Sequence, residues 1–385
     1  MSFQGYTVVD ADAHYLESFD ALARYMDEPY RSRVTRATNP ARLLPESLGD
    51  RLIEGRIKRD DVHYQAGIGG GDMTPDELGL VMDRLGLDAA LMVANRLSLI
   101  GHLSVRDMAV AFCNAYIDYM LAEVADPDRG IYTMPICPWQ DPEAAAEIVE
   151  RVGDRPAVVG VCFMSAGANP PLGDVRYNPI YEAAQRFGLP IVYHSDPALT
   201  LTEGGSYVDG LQRLIEAHSL GFVFSNMIQM TSILVQGLPE RYPKLQFVFQ
   251  EAGLFWIPMM MYRLDEYFLK RRSEAPLLQD LPSRYILDRC YFGTQPIEAP
   301  KNLKPLEAVF EACNGAERFL FATDYPHFDY DDASAITKLN FLSNEEKQNV
   351  LGGNAMRVFN LQRGGVPAWQ STLSPESGTS LTAAQ

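Results

Sequence analysis

The chain has 385 residues, of which 47% are hydrophobic and 22% are charged, so it is long enough for one large globular domain with a sizeable core. Fifty acidic residues face 33 Lys and Arg, and the formal net charge of -17 argues against a general nucleic-acid binder, which needs a basic surface. The five widely spaced cysteines argue against a disulfide framework and are typical of a reduced, cytoplasmic protein.

The amino terminus, MSFQGYTVVDADAH, lacks the basic and apolar regions of a signal peptide. The most apolar stretch, residues 254–262, is too short to span a bilayer and contains Pro258. We therefore expect a cytoplasmic protein that binds neither membrane nor nucleic acid.

Eight short runs rich in Val, Ile, Phe and Tyr alternate with longer stretches of helical periodicity. The runs cover residues 6–10, 89–94, 131–136, 158–163, 190–193, 245–249, 290–293 and 319–322. They are continuously apolar, which is typical of parallel strands buried on both faces. The predicted helices between them include residues 104–125, 142–152, 251–269 and 345–351.

This alternation fits either a closed (β/α)8 barrel or an open doubly wound sheet. An open sheet favours a glycine-rich phosphate loop after its first strand, and no GxGxxG occurs there. The sequence therefore predicts an α/β fold, a TIM barrel within residues 1–363. Residues of about 17–80 form an insertion that we expect to act as a lid, and residues 364–385 are expected to form a disordered tail.

Acidic residues and histidines cluster at the predicted strand ends. Three of the six histidines, His14, His194 and His327, follow a strand end, and a fourth, His218, lies in the segment after strand five. Because the carboxyl ends of barrel strands converge on one site, these residues predict a centre for a divalent transition metal.

Asp12 and His14 alternate with two alanines, so both project from one face of the first strand. We expect both to bind metal, although a DxH pattern alone also fits a cap or a salt bridge. Asp10 is expected to have a structural role. His194 follows the apolar run PIVY and is expected to be a ligand rather than a satisfied core histidine.

Glu251 ends strand six in FVFQEAG, and Asp324 ends strand eight in FLFATDYPH. A buried carboxylate needs a partner, so we expect both to bind metal or transfer protons. His218, at a predicted helix end, is expected to be a ligand or a catalytic residue, or else to interact with the helix dipole. His327 stays open between a metal ligand, a substrate contact and a loop residue packed on Tyr325.

Weaker candidates surround this set. Arg96 and Gln295 follow strands two and seven and could bind polar groups of a substrate. Solvation is the simplest interpretation of four loop residues: His63, His102, Asp329 and Asp331. The run Met259, Met260 and Met261 is interpreted as helical core packing rather than a redox site.

Five segments together carry a family resemblance: VVDADAH, PIVYHSD, ERYPKLQFVFQEAG, FATDYPH and LGGNAMRVF. Over about residues 6 to 361, the chain resembles the amidohydrolase-2 branch of the amidohydrolase superfamily, which includes aminocarboxymuconate-semialdehyde decarboxylase. The resemblance implies a distorted (β/α)8 barrel and a metal bound by Asp12, His14, His194 and Asp324.

The sequence departs from that branch in three ways. It has DxH rather than the HxH of most hydrolytic members, and Glu251 stands where the decarboxylases carry a proton-transferring histidine. No strand-four lysine is present, since that strand ends in Phe163 and Met164. With His218 and His327 included, the six or seven ligands exceed the needs of one tetrahedral zinc and would suit two metals about 3.5–4 Å apart.

This ligand set is similar to that of a smaller branch of the superfamily, the non-haem dinuclear iron monooxygenases, which include a platensimycin-pathway diterpenoid hydroxylase and an aminoisobutyrate hydroxylase. We therefore expect a monooxygenase with two iron ions that uses O2 to hydroxylate a C–H bond of a small organic substrate. Its expected catalytic residues are Glu251, Asp324 and His218.

Two alternatives stay open. One is a zinc- or manganese-dependent hydrolase or non-oxidative decarboxylase of a small carboxylic acid, with Asp324 as the base. The other is a non-catalytic, metal-bearing subunit of a complex. The apolar outer helices would also fit a homodimer.

Overall fold

A computed structural model of the protein describes residues 3–44, 73–195, 214–327 and 329–361. The strands are β1 Val9–Tyr15, β2 Ala89–Ala94, β3 Ile131–Thr133, β4 Val161–Met164, β5 Ile191–His194, β6 Phe247–Gln250, β7 Cys290–Gly293 and β8 Phe319–Leu320. The helices up to β6 are α1 Phe19–Arg24, α2 Tyr30–Thr35, α3 Pro75–Leu85, α4 Arg106–Tyr119, α5 Pro142–Val152, α6 Asn178–Phe187, α7 Leu214–Val235 and α8 Leu238–Arg241. Those after β6 are α9 Trp256–Arg271, α10 Pro282–Arg289, α11 Lys304–Ala312, α12 Gly315–Arg318, α13 Ser334–Thr337, α14 Asn344–Gln348 and α15 Asn354–Val358.

The strands follow one another in chain order and pair in parallel. β1 to β3 form one sheet and β4 to β8 form a second. Two parallel bridges join the sheets on one side, Thr133 with Val158 and Ile136 with Cys162. On the other side, backbone hydrogen bonds join β1 to the chain just after β8: Ala11 N–H to Phe321 O, His14 N–H to Tyr325 O, and Asp324 N–H to Asp12 O. The fold is a distorted (β/α)8 barrel, as predicted.

The pairing register decides which side chains face the interior. Phe163, Tyr193, Phe249 and Phe292 are paired neighbours across β4 to β7, and their rings stack with centroids 5.1–5.8 Å apart. Tyr193 also hydrogen-bonds Tyr181 of α6, so this ring ladder faces the helices. Since successive strand residues point to opposite faces, His194 points into the barrel.

Two element boundaries differ from the prediction, and both concern the site. β1 runs to Tyr15 rather than to residue 10, so Asp12 and His14 lie within the strand. α9 begins at Trp256 rather than at residue 251, because Glu251 and Gly253 adopt left-handed backbone angles, with φ of 53° and 67°.

The predicted insertion is partly helical, as expected. It contains α1, α2, a 3-10 turn at Pro40–Leu43 and the start of α3. Residues 45–72, with His63 and the glycine run, and the predicted tail at 364–385 lie outside the described residues. The lid and the tail therefore remain predictions. Among the described helices, none is long and apolar enough to cross a membrane.

Candidate metal centre

Asp10 and Asp12 are both fully buried on β1, and their surroundings differ. Asp10 accepts hydrogen bonds from Thr323 N–H at 2.9 Å, from the Thr323 hydroxyl at 2.5 Å and from Asp12 N–H at 3.1 Å. Burial nevertheless raises the pKa of Asp10 to about 6. These bonds tie β1 to the end of β8 and confirm the structural role predicted for Asp10.

Both carboxylate oxygens of Asp12 are buried without a hydrogen-bond partner. Burial, followed by repulsion from Asp324 and Asp10, raises the pKa of Asp12 well above its ordinary value. Burying a carboxylate without a partner is costly. The missing partner is therefore a positive charge at this point.

The atoms around Asp12 are spaced like the ligands of one cation. His14 Nε2 lies 3.3 Å from His194 Nε2 and 3.0 Å from Asp324 Oδ1. Asp12 Oδ1 lies 3.5 Å from His194 Nε2 and 3.9 Å from His14 Nε2. Metal–ligand bonds of about 2.0–2.2 Å would leave neighbouring ligand atoms roughly 3–3.5 Å apart, so this spacing fits a shared metal ion.

The two histidines have the protonation state that metal ligation requires. Burial lowers the pKa of His14, and it lowers the pKa of His194 to about 3, with repulsion from His14 adding to the effect. Both rings are therefore neutral at neutral pH, the form in which imidazole binds metal. Asp12, His14 and His194, with Asp324 beside them, fit a divalent transition metal.

Asp324 and His327 form a second, overlapping group with His14. His327 Nδ1 lies 2.5 Å from Asp324 Oδ1, and its Nε2 lies 2.9 Å from the side-chain oxygen of Asn95. Burial alone would raise the pKa of Asp324, but His327 and hydrogen bonds from His14 and His327 hold it below its ordinary value. Burial lowers the pKa of His327, but Asp324 outweighs burial and raises it.

Glu251 approaches the cluster from the end of β6, with Oε2 3.2 Å from His194 Nε2. Glu251 and Asp324 both have left-handed backbone angles, with φ of 53° and 58°, a conformation that non-glycine residues adopt at some cost and that is frequent at functional sites. The Ser195 hydroxyl and the Asn226 amide donate to the carbonyls of Glu251 and Gln250 and hold this turn.

His218 is the one predicted ligand that the structure places apart from these groups. Its Nε2 lies 3.8 Å from Asp329 Oδ2, and a quarter of its side chain is exposed. Within the described residues, the sets of ligand atoms lying inside 4.8 Å of one another do not include His218. It borders the mouth of the barrel, which we define as the carboxyl-terminal ends of the strands, because the charges of Asp324 and His327 reach it.

Sequence reasoning missed the residues that position His327. Glu17 is fully buried, and its carboxylate accepts the backbone N–H groups of Asn95 and Leu97 at 3.1 and 2.8 Å. It thereby fixes the turn after β2 that brings Asn95 to His327. A Glu two residues after a strand has no distinctive pattern, so the sequence alone offered no signal for it.

The weaker candidates mostly hold loops together. Arg96 Nε donates to Glu17 O at 2.7 Å, and the buried Gln295 donates to Asp329 O at 3.2 Å. Solvation is the wrong interpretation for Asp331, because its carboxylate accepts the Ile297 N–H at 3.0 Å. Core packing is confirmed for Met260 and Met261, whereas Met259 is 42% exposed.

Comparison with known proteins agrees with this architecture. The chain is 25% identical over 254 residues to a gamma-resorcylate decarboxylase of Polaromonas sp. strain JS666, covering 64% of this chain and 75% of that protein. Its fold is similar to that of a 5-carboxyvanillate decarboxylase from Sphingomonas paucimobilis, with a TM-score of 0.66 and 21% identity over 92% of this chain and 99% of that chain.

A second solved structure shows a metal on the same fold. It is a dihydroxybenzoic acid decarboxylase from Polaromonas sp. JS666 with bound manganese and the inhibitor 2-nitroresorcinol, at a TM-score of 0.62 and 18% identity over 92% of this chain and 97% of that chain. The profile of the family described as Amidohydrolase matches residues 9–361. With the barrel and its buried ligand cluster, this match shows that the chain belongs to the amidohydrolase-2 family.

Proposed function

We propose that this protein is a metal-dependent, non-oxidative decarboxylase of a small carboxylic acid, of the phenolic acid class named in its relatives. The observation that carries the proposal is the Asp324–His327 pair beside the ligand cluster, because it places a proton source next to a metal site. The relatives named as decarboxylases support this alternative over the monooxygenase expected from the sequence.

Asp12, His14, His194 and Asp324 would hold the metal. When bound, the ion supplies positive charge that fixes an oxygen of the substrate and stabilises negative charge that develops there. The fully buried ligand side chains exclude water around this point, and electrostatic interactions are stronger in such surroundings.

Decarboxylation needs one proton at the carbon that loses its carboxylate. His327 holds that proton on Nδ1, shared with Asp324 Oδ1 at 2.5 Å. As the proton reaches the carbon, the bond to the carboxylate breaks, its electron pair stays on that carbon, and CO2 leaves. The His327 side chain is 37% exposed, so solvent can return the proton.

The test is CO2 release from a panel of hydroxybenzoic and aliphatic acids with protein loaded with manganese or zinc. In D2O, the product should carry one deuterium at the vacated carbon. His327→Gln should slow the reaction about 100-fold or more, within the range of general acid–base catalysis, and should keep its metal. His218→Gln is the matched control. Absence of CO2 from every acid with metal-loaded protein would refute the proposal.

A dinuclear iron monooxygenase is the second candidate, and one observation favours it. Two ligand groups share His14, one with Asp12 and His194 and the other with Asp324 and His327, and Glu251 adds a further carboxylate next to His194. Carboxylates of this kind would stabilise oxidised iron, and O2 would be the second substrate.

Metal content separates the two candidates. Two irons per chain in the wild-type protein, falling to one or none in Glu251→Ala, together with substrate-dependent O2 uptake, would support the oxygenase. One manganese or zinc per chain, unchanged in Glu251→Ala, would support the decarboxylase and leave Glu251 as an acid–base residue.

A further inference from the structure

Helix α9 is apolar on two opposite sides. Its inner side packs into the barrel wall through buried residues that include Ile257, Met260, Met261 and Phe268. Its outer side carries four large apolar residues that are 36–69% exposed: Phe255, Met259, Tyr262 and Leu269. A spacing of four, three and seven residues keeps these four on one face of a helix.

We define the outer α9 face as these four residues together with Glu266, which shares their side of the helix. Tyr267 and Leu277, also exposed, lie in or just after the same helix. The remaining large apolar residues that are exposed in the described part of the chain are scattered: Leu80, Val105, Val175, Ile215 and Leu220. A helix that is apolar on both sides is normally covered on both, and a contiguous exposed apolar patch marks an interaction surface.

The charges on this face are complementary to the face itself. If two copies of α9 pack antiparallel about a two-fold axis near residue 264, Met259 lies opposite Leu269 of the second copy. In the same register, Tyr262 and Arg263 lie opposite Glu266 of the second copy. A two-fold interface repeats every contact twice, so each exposed Glu266 gains an arginine and a phenol as hydrogen-bond donors.

We infer that the outer α9 face binds a second copy of this chain, so that the protein is a two-fold symmetric dimer through α9. Each copy has a formal net charge of -17, so the two copies repel at long range. Association therefore depends on the apolar contacts and should persist at high salt, where that repulsion is screened.

The first experiment measures the mass of the full chain in solution by light scattering or sedimentation. The wild-type protein should have twice the chain mass of 43.0 kDa. Leu269→Glu should weaken the dimer by about 10-fold or more, because it places an unpaired charge in an apolar contact. Leu80→Glu on α3 is the matched control, since Leu80 is 68% exposed and Leu269 is 69% exposed.

A charge exchange tests the proposed register. Glu266→Arg alone places like charges opposite each other and should weaken the dimer, and the added change Arg263→Glu should restore it. Circular dichroism on each variant confirms that the fold is intact. A monomeric wild-type protein, or a dimer that none of the α9 variants weakens, would overturn the inference.

Discussion

The mouth of the barrel and the outer α9 face leave opposite kinds of contact unmade. At the mouth, carboxylate oxygens of Asp12 and Asp324 are buried without hydrogen-bond partners. On the outer α9 face, apolar side chains are exposed without cover. A folded chain rarely tolerates either in number. The kind of contact left unmade indicates what belongs there: a cation in the first region and an apolar, self-complementary surface in the second.

The largest expected effect tests the mouth through Asp12→Asn. We expect metal affinity to fall by at least about 100-fold, beyond the 10–100-fold typical of an outer-shell partner. In the metal-free protein, the free energy of unfolding at neutral pH should not fall and should rise, because the substitution removes an uncompensated buried charge. Competition with a chelator and urea unfolding measure the two quantities.

Asp10→Ala on the same strand is the control for that prediction. It leaves Thr323 without its acceptor, so the free energy of unfolding should fall by about 1–3 kcal/mol, while metal affinity changes far less than in Asp12→Asn. If the two variants exchange these effects, Asp12 is the structural aspartate and the interpretation of the mouth is wrong.

A smaller effect is expected from Asn95→Ala. Without the amide, His327 loses one of the two contacts that orient it against Asp324, and metal affinity should fall by about 10-fold, as for other outer-shell partners. The double variant Asn95→Ala with His327→Ala should bind metal no more weakly than His327→Ala alone. Additive losses would show that Asn95 acts by another route.

The smallest effect concerns Asp331, a buried carboxylate that does have a partner. Burial raises its pKa from 3.8 to about 6, so the folded state binds this proton more tightly than the unfolded state. Its contribution to stability is therefore full below about pH 4 and is lost as the pH rises through about 6.

Asp331→Asn keeps an acceptor for Ile297 and removes this titration. The difference in urea midpoint between wild type and variant, both metal-free, should change across that pH window and stay constant above it. A difference that is constant throughout the window would contradict the prediction.

The sequence was sufficient for the strand order and for the convergence of Asp12, His14, His194 and Asp324, because buried parallel strands are continuously apolar and their ends meet at one mouth. It was insufficient wherever backbone conformation decided the outcome. The left-handed turn at Glu251 delayed α9, and no periodicity signals such a turn. The support of His327 by Asn95 and Glu17 spans segments far apart in the chain, which a local pattern does not reveal.

The left-handed backbone at Glu251 and Asp324 has a practical consequence for trapping complexes. Glycine adopts this conformation without strain, so Glu251→Gly and Asp324→Gly would each delete a carboxylate and leave the course of the main chain unchanged. Both would be inert templates with the original walls, suited to co-crystallisation with unreacted carboxylic acids. For most other side chains, this choice would distort the loop along with the chemistry.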